Sequence, residues 1–96
     1  MRQVKDKVLF RMDAQGEFAI FPEIPADYDG DLCAVFRNGE MQCGDCRALL
    51  RQSTASDGAS LLAKLRALGY KPWPVVRESP TMRAVRRAIA DFLKGV

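Results

Sequence analysis

The stretch LCAVFRNGEMQC, residues 32–43, predicts a β-hairpin and carries the clearest local signal in the chain. Two strand-like runs, residues 32–36 and 40–43, flank the pair Asn38-Gly39. Both residues of that pair adopt positive φ readily, as a type I′ hairpin turn requires. Such a turn joins antiparallel neighbours, so the stretch predicts one antiparallel strand pair.

A second hairpin is predicted upstream of the first. Apolar residues alternate with others over residues 8–12, and a strand-like apolar pattern resumes over residues 17–21. Asp13 and Gly16 suit the first and last positions of a type I turn between these runs. Pro22 lacks a backbone donor, so we expect the second strand to end there and a loop to follow.

The carboxyl half predicts two amphipathic helices. The first is expected to begin at Thr54-Ala55-Ser56-Asp57, which resembles a capping box, and to end at Gly69. The second opens at Ser79-Pro80, with a hydroxyl at the cap and proline at the first helical position. Helical spacing predicts that the second helix buries Met82, Val85, Ile89, Phe92, Leu93 and Val96.

The order of these elements indicates the fold class. Residues 73–77 are extended in character and contain Pro74, which suggests an edge strand. Residues 43–53 fit either a helical turn or a short buried strand. The order β-β-β-β-α-β-α predicts an α+β fold, with an antiparallel sheet of two hairpins plus an edge strand and two helices packed on one face. A length of 96 residues suits a single globular domain over residues 1–96.

Charge, cysteine content and the amino end bear on location. The formal charge of +3 is too small to indicate nucleic acid by itself. Residues 1–7 offer neither the apolar run of a signal peptide nor a membrane span. Three cysteines do not make a regular disulfide framework. We therefore expect a cytoplasmic protein that does not associate with a membrane.

Catalytic signatures are missing from the sequence. The chain has no histidine, the usual proton-transfer group near neutral pH. It also has no phosphate loop, dinucleotide fingerprint or nucleophile elbow. We expect a protein that is not an enzyme and that needs no cofactor.

The cysteines leave two readings open. Cys43-Gly44-Asp45-Cys46 has the C-x-x-C spacing that serves redox and zinc chemistry. A structural zinc site normally has four ligands, and only Cys33 remains to join the pair. Cys33 lies across the predicted hairpin from Cys43, so a cluster of all three is geometrically possible. The reading we prefer is that they are small, buried or half-buried apolar side chains.

Two charged groups are candidate partner-binding surfaces. The basic row of the second helix lies opposite its apolar stripe and consists of Arg83, Arg87 and Lys94, joined by Arg86 on the neighbouring row. Arginines so spaced can bind carboxylates of a partner protein or phosphates of nucleic acid. They can also form an ordinary solvated face, in which Asp91 pairs with Arg87.

The acidic group consists of Asp27, Asp29 and Asp31, which alternate in the predicted loop. The spacing loosely resembles calcium ligation, but the glutamate that completes a calcium-binding loop does not follow. We expect a solvated acidic loop that serves as a partner-binding surface, and no metal site.

Several segments together resemble a known group of proteins. They are residues 8–11, 18–25, 65–70, 75–77 and 81–83. Across these segments the chain resembles small uncharacterised proteins of bacteriophages, prophages and other mobile elements. The group carries histidines where this chain has residues 36–44, so a metal or catalytic role placed there does not carry over.

The resemblance implies an origin in a mobile element and a location in the host cytoplasm. We expect an accessory protein that binds a host protein or protein complex as an inhibitor of host defence, of the anti-CRISPR or anti-restriction type, by analogy with other small phage proteins. The alternative is a small nucleic-acid-binding accessory or regulatory protein that uses the basic row. Either would be a monomer or a small homo-oligomer.

Overall fold

The computed structural model describes residues 6–95. Its elements in chain order are β1 (Asp6–Asp13), β2 (Gly16–Pro25), β3 (Leu32–Arg37), β4 (Glu40–Asp45), α1 (Cys46–Arg51), β5 (Thr54–Ala55), α2 (Ala59–Ala67), β6 (Pro72–Pro74) and α3 (Pro80–Lys94). The predicted α+β class and the predicted order of strands and helices are confirmed. The stretch that fitted either a helical turn or a strand supplies α1, and β5 follows it.

Strands β1 to β4 form an antiparallel meander with β4 at one edge. The outer edge of β1 is covered in two portions, because β5 pairs with it antiparallel and β6 pairs with it parallel. The predicted hairpin turn at Asn38 and Gly39 is confirmed by φ values of 54° and 77°. β6 confirms the predicted edge strand, although it is shorter than residues 73–77.

Strand β2 continues past Pro22, where the sequence predicted its end, and reaches Pro25. The register with β3 shifts between Phe21 and Pro25. This irregularity lies at the proline, so the ladder does not require a donor from Pro22. The Pro22 side chain is fully buried, so the proline packs inside the fold instead of starting an exposed loop.

Both faces of the sheet are buried, whereas the sequence predicted helices on a single face. Consecutive residues are buried in the central strands, as at Val8-Leu9-Phe10, so neither face can be left to solvent. The first face buries Val8, Phe10, Ala19, Phe21, Ala34 and Phe36 against Leu61 and Leu65 of α2. The second face buries Leu9, Phe18, Ile20, Cys33, Val35 and Cys46, with Leu49 and Leu50 of α1 packed on them.

Helix α3 packs against β2, and a residue just before it bonds to Cys46 of the second-face core. Glu78, just before α3, accepts a hydrogen bond from the Cys46 thiol at 2.9 Å and pairs with Arg86 of α3. The two predicted helices, α2 and α3, therefore lie on opposite faces, because each face exposes apolar strand residues that need cover. Among the described helices, none combines the length and the apolar character needed to cross a membrane.

Helix α2 begins later than the capping-box pattern predicted. Residues 54–55 pair with β1 as β5, and the N-cap residue is Gly58 with φ of 65°. Thr54, the cap of that pattern, pairs instead with Met12, and Ser56 donates its hydroxyl to the Glu17 carboxylate of β2. Gly69, with φ of 95°, follows the helix as predicted.

Candidate interaction surface

Helix α3 starts where the sequence predicts but turns a different side to the sheet. The Ser79 hydroxyl caps it by accepting the Met82 N–H at 3.2 Å. The side that α3 buries consists of Met82, Arg86 and Ala90. Of the predicted apolar face, Met82 is buried and Val85 half-buried, while Ile89, Phe92 and Leu93 are 40%, 73% and 48% exposed. Val96 lies outside the described residues.

Arg86 occupies the core side of α3 and is only 4% exposed. Its Nε donates to the Gly30 carbonyl and its Nη1 to the Pro22 carbonyl, both at 2.8 Å. Nη1 also pairs with the Glu78 carboxylate at 3.1 Å, and the Glu78 side chain is 3% exposed. The expectation that Arg86 joins a surface row is therefore wrong, because buried carbonyls and a buried carboxylate take its donors.

The exposed part of the basic row and the acidic loop form one surface. Arg87 Nη2 lies 3.5 Å from Asp31 Oδ1, and Lys94 Nζ lies 3.8 Å from Asp29 Oδ1. These four side chains are 64–73% exposed, so each pair contributes little to stability. The pairing nevertheless reduces the positive charge that α3 offers to an approaching partner. In the alternative reading of a solvated face, Arg87 pairs with Asp91, whereas in the structure it pairs with Asp31.

Asp27 has a structural role inside the acidic loop. Its Oδ1 accepts the backbone N–H groups of Gly30 and Leu32, at 2.8 Å and 3.3 Å. Oxygens of Asp27, Asp29 and Asp31 lie within 4.8 Å of one another. Each of the three carboxylates already has its own partner in backbone N–H groups, a lysine or an arginine. These partners account for the cluster without a cation.

An apolar surface is exposed on one side of α3 and on the neighbouring loop. Val85, Ile89 and Phe92 recur at the helical spacing that places them on one side. Leu93 lies next to Ile89 and lines a shallow cavity together with Tyr28, which is 66% exposed. We call these five residues the α3 apolar surface. An exposed apolar patch on a small protein is a candidate interaction site.

The cysteines pair differently from the C-x-x-C motif. Cys43 is paired with Ala34 in the β3–β4 ladder, on the first face, and its side chain is exposed. Cys33 and Cys46 are buried together on the second face. The possible cluster of all three cysteines is therefore not formed. A hydrogen bond with Cys33, burial and the neighbouring Glu78 carboxylate raise the pKa of the Cys46 thiol above its usual range.

One reactive thiol is expected in the folded chain. At pH 8, Ellman's reagent should react quickly with Cys43 alone, because Cys33 and Cys46 are 0% and 1% exposed. All three cysteines should react in denaturant. Cys43→Ser should remove the fast reaction, and Cys33→Ser should leave it unchanged. Fast native reaction of a second thiol would contradict the burial of the Cys33–Cys46 pair.

Comparisons of the chain with protein-family models, curated proteins and solved structures found no match. What the fold and the surface define is a small α+β domain whose last helix presents apolar and charged side chains side by side.

Proposed function

We propose that this protein is a non-enzymatic module that binds a partner protein through the α3 apolar surface. The observation that carries the proposal is the exposure of an apolar helix side, with Phe92 at 73% and Ile89 at 40%. An amphipathic helix that enters an apolar groove is a common mode of protein recognition, and its anchors have the spacing of Val85, Ile89 and Phe92. An exposed aromatic anchor is also typical of a binding hot spot.

The charges around α3 indicate the chemistry of the partner. At 100° per residue, Ala84 and Ala88 lie between the apolar side of α3 and its basic row. Their small side chains allow a partner protein to approach the outermost part of the helix closely. Arg83 makes no ion pair with residues 6–95, and the exposed pairs of Arg87 and Lys94 are weak. The partner we propose therefore presents an apolar groove with an acidic border.

Nucleic acid is the alternative that the sequence raised. Burial of Arg86 and pairing of Arg87 and Lys94 with the acidic loop leave Arg83 as the one member of the basic row, within residues 6–95, that is neither buried nor paired. Phosphate binding requires several uncompensated cations along one groove. The same surface serves a protein partner better, because its apolar half contributes as well. In a mobile element, that partner would belong to a host defence complex.

The proposal is tested by crosslinking from α3. A photoreactive phenylalanine analogue replaces Phe92 in one sample and Leu68 in a second, and both are illuminated in a lysate of the bacterial host. Leu68 is a matched control, since it is 60% exposed and lies at the end of α2 on the opposite face. We expect a crosslinked protein from position 92 that position 68 does not give.

The crosslinked protein is then purified and its binding to the chain is measured. Phe92→Ala should weaken binding at least about tenfold, whereas Leu68→Ala should change it less than about twofold. Both variants should change the free energy of unfolding by no more than about 0.5 kcal/mol, because both side chains are exposed. Equal crosslinking at both positions, self-association that requires Phe92, or binding only to oligonucleotides with a steep salt dependence would each overturn the proposal.

A further inference from the structure

A cavity of about 330 Å³ lies between the start of α1, the acidic loop and the first turns of α3. Four arginines line it, together with Asp31 and Asp45: Arg47, Arg83, Arg86 and Arg87. Its volume is at the small end of the range for ligand sites, about 300–1,000 Å³. The cavity is separate from the α3 apolar surface, since no residue of that surface lines it.

Two of the four arginines are already neutralised. Arg86 is paired with buried Glu78, and Arg87 lies 3.5 Å from Asp31. Asp45 uses its carboxylate to accept the Ala48 N–H at 3.1 Å, as the cap of α1. Arg86 and Asp45 are therefore occupied by their own partners. Arg87 is only weakly held, because its pair with Asp31 is exposed.

Arg47 and Arg83, unlike Arg86 and Arg87, have no carboxylate partner within residues 6–95. Within residues 6–95, neither makes an ion pair, and neither guanidinium donates a hydrogen bond. They lie on separate elements, Arg47 in α1 and Arg83 in α3, and they line the same cavity. A guanidinium presents its donors in a planar fork that matches two oxygens of a phosphate. The cavity is therefore lined by two arginines whose guanidiniums have no partner within residues 6–95.

We propose that this cavity binds a phosphate monoester group of a small molecule. Such a group carries about two negative charges at pH 7 and three acceptor oxygens, which suits the two unpaired guanidiniums. The cavity is partly enclosed, so it admits a terminal phosphate rather than the continuous backbone of a nucleic acid. A bound phosphate would join α1 to α3 and stabilise the folded chain by mass action.

The test uses the purified full chain with inorganic phosphate, adenosine monophosphate and adenosine, at constant ionic strength set with sodium chloride. Binding is measured by calorimetry and by the shift of the thermal midpoint. We expect inorganic phosphate and the monophosphate to bind and to raise the midpoint, and adenosine to do neither. Arg47→Gln and Arg83→Gln should each weaken binding about tenfold or more, because each removes charge-assisted hydrogen bonds.

Arg51→Gln is the matched control. Arg51 is an exposed arginine at the end of α1, outside the cavity, and its loss removes the same charge. It should change phosphate binding less than about twofold, as should Phe92→Ala, which keeps this test independent of the proposed protein-binding function. Equal loss in all four variants, no binding of either phosphate compound, or equal competition by an oligonucleotide without a terminal phosphate would overturn the proposal.

Discussion

Arg86→Ala is expected to lower the free energy of unfolding by about 3–5 kcal/mol. The substitution leaves the Glu78 carboxylate buried without its cation, at 3% exposure. It also removes the donors to the Pro22 and Gly30 carbonyls. The cost of an uncompensated buried charge exceeds what the ion pair itself contributes, so one substitution should remove much of the stability of a small domain. Urea unfolding followed by circular dichroism measures the change.

Arg83→Ala is the control for this prediction. Arg83 lies on the same helix, one turn earlier, and has no ion pair within residues 6–95. Its loss should cost less than about 1 kcal/mol. The double variant Arg86→Met with Glu78→Gln should recover part of the loss of Arg86→Ala, because neither remaining side chain is charged. Similar costs for Arg86→Ala and Arg83→Ala would show that the buried pair does not stabilise α3 on the sheet.

Gly58→Ala should be the other strongly destabilising substitution, costing about 2–5 kcal/mol. Gly58 is the N-cap of α2 with φ of 65°, a conformation that an L side chain rarely adopts. A Cβ atom at this position would also overlap the ring of Phe10, which is 6% exposed in the first-face core. Backbone strain and overpacking therefore act together. Thermal and urea unfolding of the variant measure their sum.

Gly39→Ala separates the two contributions. Gly39 has a similar φ of 77°, and nothing lies within 4 Å of where its Cβ would be. Its substitution should cost only the backbone strain, about 1–2 kcal/mol. If Gly58→Ala cost no more than Gly39→Ala, the close packing of residue 58 on Phe10 would be refuted.

Local chemistry explains which elements could be predicted. The turn at Asn38-Gly39 and the cap at Ser79-Pro80 depend on residues adjacent in the chain, and both are present as predicted. Predictions failed where a distant group competed with the local pattern. Thr54, the cap of the predicted capping box, pairs instead with Met12 of β1, 42 residues away, so the pattern does not start α2. Pro22 continues a strand because the β2–β3 register shifts at this point, so the ladder needs no donor from the proline.

In the candidate surface, too, features set by local sequence could be predicted and features set by distant residues could not. The sequence predicted a basic row and an acidic loop, but Arg86 of that row is buried, and the pairing of Arg87 and Lys94 with the loop could not be read from the sequence. Glu78, the partner of Arg86, and Arg47, which lines the cavity, were missed. Each is a single charged residue whose significance lies in a neighbour distant in the chain.

The amino-acid sequence by itself determined the α+β class, the hairpins and the existence of an amphipathic last helix, since these depend on periodicity and turn residues. Only the tertiary structure decided which side of that helix meets the sheet. Periodicity sets the angles between side chains around α3, but carbonyls of Gly30 and Pro22, 56 and 64 residues away, set its rotation. Arg86 faces the sheet and donates to these buried carbonyls. With α3 in that rotation, Phe92 is exposed to solvent.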